Sequence, residues 1–112
     1  MGREMQAFAT PIMPGKLDAW RSWVDDLKGA KSADFAASNE RHGLTVHNAW
    51  LQTNPDGSHL VVVVHDGPGA DRYMGAVATS DDPFDMWFAA GIAEAHGVDL
   101  NGPPPPAPER ML

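Results

Sequence analysis

The sequence predicts an α+β fold in which helices cover one face of an antiparallel sheet. Residues 44–66, LTVHNAWLQTNPDGSHLVVVVHD, set two apolar-rich segments around Asn54-Pro55-Asp56-Gly57, the pattern of one long hairpin. Leu17, Trp20, Val24 and Leu27 recur at helical spacing and define one apolar face. Residues 80–97 open on Ser-Asp-Asp-Pro and close on Gly97, the signals of a capped helix.

Taken in order, residues 3–12 (REMQAFATPI) alternate loosely up to Pro11 and predict a first strand. Pro14-Gly15 opens the first helix, with Asp18, Arg21, Asp25 and Lys28 turned mostly outward, and Gly29 interrupts it. A second helical piece is expected from about Ser32, with Phe35, Ala36 and His42 near one face and Gly43 as its cap. In the hairpin, Pro55 presets the first corner and Gly57 takes the left-handed position that closes the loop. Asn54 then pairs with Ser58, which fixes the register. One face carries Ala49, Leu51, Val61 and Val63, with His47 opposite His65 and Thr53 beside His59. The other carries Val46, Asn48, Trp50 and Gln52 opposite Asp66, Val64, Val62 and Leu60. The first face suits packing under helices. The second, an aromatic ring among amides and a carboxylate, has the composition of a ligand-facing wall.

Gly67-Pro68-Gly69 ends that strand, and a short helix is expected around residues 70–79 with Tyr73 and Val77 on one side. Asp82 is the expected N-cap of the last helix and Pro83 its first residue. Its stripe is Phe84, Trp87, Phe88, Gly91, Ile92 and Ala95. Val98-Asp99-Leu100 reads as a short last strand. Pro103 to Pro106 and Pro108 force an extended tail. The chain therefore divides into one domain, residues 1–102, and a proline-rich tail, 103–112. Met111 and Leu112 give that tail an apolar end, so it is expected to lie along the body and to cross to a partner subunit.

The expected order, β-α-β-β-α-β, is that of a ferredoxin-like sandwich. Helices on one side leave Trp50, Val46, Val62, Val64 and Leu60 uncovered on the other. Such a face is unusual on a monomer, so a homodimer that closes two sheets into a barrel is expected.

At 112 residues there is room for one modest core. No apolar run is long enough to span a membrane, and residues 1–15 lack the apolar stretch of a signal peptide, so a cytoplasmic location is expected. With no cysteine there is no disulfide and no thiolate ligand or nucleophile. A net charge of −7 opposes phosphate backbones and anionic lipid, so neither nucleic acid nor membrane is an expected partner.

Pro14-Gly15-Lys16 after the first strand and the element order over residues 3–100 resemble the dimeric α+β barrel superfamily, and PIMPGK at 11–16, the segment Arg41 to Gln52 and SDDPFDMWF at 80–88 resemble one family within it. The superfamily includes antibiotic-biosynthesis-type monooxygenases and haem-degrading oxygenases. The resemblance is narrowest to one family related to those monooxygenases; it spans nearly the whole chain and implies no activity by itself. The superfamily resemblance implies a pocket between sheet and helices or inside the barrel, and a sheet-borne Asn and Trp that hold a polyphenolic substrate.

Asn48 and Trp50 are accordingly the leading candidates to bind a ligand, the ring supplying area and the amide a directional hydrogen bond. Gln52 shares their face. Trp23 and Trp87, at the margins of their helical stripes, are the other candidates. His47 and His65 form a pair at a strand end, where partial exposure is expected; a metal would need a third ligand, which only His42 or His96 could supply. No metal or cofactor is expected. His96 sits where the helix dipole favours its charged form, and Asp81, Asp82 and Asp85 read as helix-start capping. No Ser-His-Asp set, phosphate-binding loop or HExxH occurs. The expected function is binding of a small, partly apolar or aromatic molecule, with cofactor-independent oxygenation or isomerisation as its catalytic form. The alternative is a non-catalytic binding or assembly module whose aromatic sheet face is only a dimer interface.

Overall fold

β1 (Gln6–Pro11), β2 (Val46–Thr53) and β3 (His59–Asp66) form one antiparallel sheet in the order β1-β3-β2. The computed structural model describes residues 5–100, 102 and 108–112. Turn chemistry sets the hairpin. Asn54 N–H donates to the Ser58 carbonyl at 2.8 Å, and Gly57, at φ +87°, returns the chain toward Asn54. Asp56 Oδ1 accepts from both the backbone and the hydroxyl of Ser58, at 2.9 and 2.6 Å. The register follows as expected: Val46 pairs with Asp66, His47 with His65, Trp50 with Val62 and Thr53 with His59. β1 adds on the other side, Phe8 beside Val63 and Thr10 beside Val61.

α1 (Leu17–Lys28) and α2 (Ser32–Arg41) follow β1; α3 (Tyr73–Ala78), entered through a 3-10 turn at Ala70–Arg72, and α4 (Pro83–His96) follow β3. Asp82 caps α4 as expected, its Oδ2 accepting from the backbone of Phe84 and Asp85 at 3.0 and 3.1 Å. Gly97 ends that helix in the left-handed conformation. The helices lie over the face that carries Val61, Val63 and His65. One core gathers Leu27, Leu44, Tyr73, Val77, Phe84 and Phe88 within the helical layer. A second joins Ile12, Trp20, Val61 and Ala95 between helices and sheet. Each fully buried side chain of this size stabilises the fold by roughly 1.5–3 kcal/mol.

The loop after β3 is built on close backbone approach. Gly69 N–H donates to the Gly43 carbonyl at 2.9 Å. A Cβ at Gly67 would strike that same carbonyl, and one at Gly69 would strike the carbonyl of His42. The Gly-Pro-Gly stretch thus does more than end a strand. It clamps the segment 42–44 and fixes where His42 stands.

Two expectations change. Val98-Asp99-Leu100 is not a strand: Gly97 has already turned the chain, and Gly102 N–H reaches back to the Asp99 carbonyl at 3.1 Å. Three residues between two turns cannot sustain a ladder. Among the described residues the sheet is therefore three-stranded, and the helical segments number four. Ala36, expected on the inner face of α2, is exposed, while Ser38 is fully buried. Of the expected tail, residues 103–107 lie outside those described; residues 108–112 are exposed, Met111 and Leu112 included. No described helix is long and apolar enough to cross a membrane.

Candidate functional site

Between the inner sheet face and the helices lies a cavity of about 460 Å³. Its walls are mainly apolar, with Trp20, Val24, Leu27 and Phe88 from the helices and Val61 and Val63 from β3. β2 is the edge strand on this side. Its Ala49 belongs to the inner face yet is exposed, so the helices leave the β2 flank uncovered. Asn48 and Trp50, also exposed and in the lining, stand on β2 itself and mark the mouth there; Lys28, at the end of α1, is the remaining exposed lining residue.

The polar end is made by the histidine pair. The His47 and His65 rings meet edge to face at 4.5 Å between centroids, and Tyr73 packs edge-on against both, at 5.2 and 4.8 Å. His65 is 2% exposed and Tyr73 is 1% exposed, so the expected partial exposure of the pair does not hold for His65. Helices arching over the strand end, led by Tyr73 and Phe88, cover what a bare hairpin would leave open. Asn39 of α2 orients His47, whose Nδ1–H donates to the amide oxygen at 2.9 Å. Burial, with a further contribution from His65, lowers the His47 pKa to about 3. Burial alone lowers that of His65 to about 4. Both rings are neutral near pH 7. Burial, reinforced by Asp85, raises the pKa of the Tyr73 phenol, which stays protonated.

Neither His42 nor His96 completes a metal set. Among the described residues no three His, Cys, Asp or Glu side chains gather into a cluster that could hold an ion. His96, though it lines the cavity, is buried, and its Nδ1–H donates to the Pro11 carbonyl at 2.9 Å. Burial lowers its pKa despite that bond, so it is a neutral tie between α4 and the end of β1. The charged helix cap that its position suggested is not formed.

Behind the histidine end sits a buried carboxylate. Asp85 is fully buried and accepts from Ser38 Oγ at 2.6 Å, Ser80 Oγ at 2.7 Å, His42 Nε2–H at 2.8 Å and Arg41 Nη2 at 3.0 Å. Burial alone would push its pKa up, but these bonds outweigh burial and hold the carboxyl well below the usual carboxylate range. Asp85 is thus not a helix cap. It fastens α2 and its C-terminal turn to the start of α4. Asp82 does cap, and it also pairs with Arg41 at 3.2 Å.

The sequence-selected residues fall in two places. Trp23 lines the cavity, stacked on Trp87 at 6.1 Å and tilted against Phe88 at 4.9 Å. Trp87 backs it from outside the lining, with Lys31 Nζ 4.7 Å from its ring centroid. Asn48, Trp50 and Gln52 belong to the outer sheet face, and Trp50 is 54% exposed. Asn48 and Trp50 also border the cavity mouth, whereas Gln52 donates to Asn54 Oδ1 at 2.9 Å beside the turn. Sequence reasoning missed Asn39, Ser38 and Tyr73 as site residues and gave Asp85 the wrong task. One signal was present for Ser38: it follows Phe35 by three positions, on the same helical face. Comparison with known proteins gives no match, either to a family model or to a curated protein.

Proposed function

We propose that this protein binds a small, partly apolar or aromatic molecule in the space between its sheet and its helices. The observation that carries the reading is a cavity of about 460 Å³ with aromatic and aliphatic walls and two neutral imidazoles at one end. Ligand sites share that make-up: mostly apolar surface with a few placed polar groups. Resemblance to the monooxygenase-containing superfamily extends the reading to cofactor-independent oxygenation or isomerisation. Binding without catalysis is favoured by a specific observation. Imidazoles with pKa values of about 3 and about 4 are poor bases for taking a proton near neutrality. Saturable quenching of tryptophan fluorescence by naphthalene tests the binding reading. A crystal structure of untreated protein whose side chains fill the space, with no saturable quenching, would overturn it.

We propose further that two copies associate through their outer sheet faces, where Trp50, Val62 and Val64 lie side by side. Light scattering should then return twice the 12.0 kDa chain mass. A monomer mass across micromolar concentrations removes the barrel.

A further inference from the structure

Folded proteins pair nearly all of their buried polar groups, so an unpaired one is informative. Among the described residues, the buried side-chain polar atoms without a hydrogen-bond partner are Trp23 Nε1, His65 Nε2 and Tyr73 Oη. They are not scattered. Trp23 and His65 both line the cavity, and Tyr73 packs on His65 with ring centroids 4.8 Å apart. Trp23 Nε1 lies hard against Gly91, so the indole edge faces α4 backbone. That leaves the histidine end as the part of the lining where a buried polar group has no backbone facing it and stays unpaired.

Charge narrows the occupant. Among the described residues Lys28 is the only Lys or Arg in the lining, and it is exposed; no described Asp or Glu lines the space. Arg41 is already engaged by Asp82 and Asp85. An anion at the histidine end would meet neutral rings with no cation to balance it, and a cation would meet no carboxylate. Moving either out of water without a partner is costly. An uncharged oxygen has no such penalty, and it supplies the hydrogen bond the end lacks. Solvent alone is a poor filling, because the walls are apolar and the volume far exceeds one water.

Resting on the reading that the cavity binds a small molecule, we infer that the occupant is an uncharged aromatic compound. It carries a carbonyl or hydroxyl oxygen at one end, and that oxygen hydrogen-bonds His65 Nε2. The flat body lies between Trp23, Phe88 and the valines of β3. His65 is the specificity-determining residue, and Tyr73 braces its ring.

Four probes of one size test this by fluorescence titration of the full chain: naphthalene, 1-acetonaphthone, 1-naphthalenemethanol and 1-naphthoate. A net hydrogen bond at a buried site corresponds to about tenfold in affinity. The ketone or the alcohol should therefore bind about tenfold tighter than naphthalene, and naphthoate no tighter than naphthalene. A ketone that binds tighter than naphthalene requires Nε2–H, since a carbonyl only accepts; an alcohol that binds tighter while the ketone does not requires bare Nε2, to which its hydroxyl donates. His65→Phe should abolish the preference, the ketone and the alcohol binding that variant no tighter than naphthalene does. Should that variant fail to fold, ring-nitrogen NMR on the native protein decides instead, with the His65 Nε2 resonance moving for the preferred oxygenated probe and not for naphthalene. Naphthalene binding as well as both oxygenated probes, or naphthoate binding best, overturns the inference and leaves the binding reading standing. Failure of all four to bind overturns both.

Discussion

At Asp85, four donors converge on two oxygens, and no carboxylate of a simple helix start has that environment. Removing one partner of a buried, charge-assisted network costs about 3–5 kcal/mol, because the remaining donors stay buried and unpaired. Total stability of a domain is about 5–15 kcal/mol, so such a loss is a large share of it. Asp85→Ala should therefore lower the urea midpoint sharply, by the equivalent of about 3 kcal/mol or more. Arg41→Ala should cost only about 1 kcal/mol, since that side chain is 44% exposed and water can replace it. Equal losses for the two variants would mean that the ion pair, and not the buried hydroxyl and imidazole donors, holds the joint. Tyr73 makes the opposite case. Its hydroxyl is buried with no partner, so Tyr73→Phe deletes a desolvation cost and should raise stability by about 1 kcal/mol. A drop in the urea midpoint would show that the phenol has a partner in solution.

Among the elements, the contact between α1 and α4 leaves no slack beside the cavity wall at Trp23. Gly91 is half-buried inside α4, and a Cβ there would collide with the Trp23 indole. Alanine gains about 1 kcal/mol of helix propensity over glycine. Overpacking costs about 1–3 kcal/mol when the neighbour cannot yield, and this ring is held by Trp87 and Phe88 on its other sides. Gly91→Ala should therefore lose stability on balance. Gly75 in α3 has open space around it and ordinary helical backbone, so Gly75→Ala should gain about 0.5–1 kcal/mol. Thermal denaturation of the two variants side by side checks the sign of each.

The same scale shows what could be read from the sequence. Both strands of the hairpin, their register and the face under the helices followed from Pro55, Gly57 and the alternation around them, because those signals are local. The caps Asp82 and Gly97 were legible for the same reason. Val98–Leu100 misled because an apolar-polar-apolar triplet looks like a strand whether or not its flanking turns leave room for pairing. Ser38 and Asp85 were illegible in their role, since their partnership spans 47 positions and polar residues on a helix ordinarily face water. Which face of the sheet lines a cavity was left open by the sequence. Composition drew attention to Trp50 and Asn48, whereas the enclosed space needs helices on its far wall, and those cover only the opposite face.

For the molecule as a whole, these buried groups predict how stability responds to pH. Below about pH 6.5 an unfolded chain takes up protons on its histidines. Folded His47 and His65 refuse them until about pH 3 and about pH 4, and His96 is shifted the same way. The unfolded state thus binds more protons in this window, and stability must fall as pH drops from about 6.5 toward 4. Each unit of separation corresponds to about 1.4 kcal/mol, so the pair alone removes several kcal/mol. Asp85 acts in a lower window. Its folded pKa is depressed, so its contribution is intact above the unfolded value near about 3.9 and is lost only below it. A competing effect has the opposite sign: lowering the pH toward the pI of 4.9 relieves the repulsion of an acidic surface. Exposed charges are screened beyond about 8 Å at physiological ionic strength, and buried imidazoles are not. The histidines should therefore dominate. In 0.15 M salt the melting temperature should fall steadily between pH 7 and pH 4.5, and His65→Phe should flatten much of that slope. A profile that is level over this range, or that rises toward the pI, would mean that the two rings are not held neutral beneath the helices.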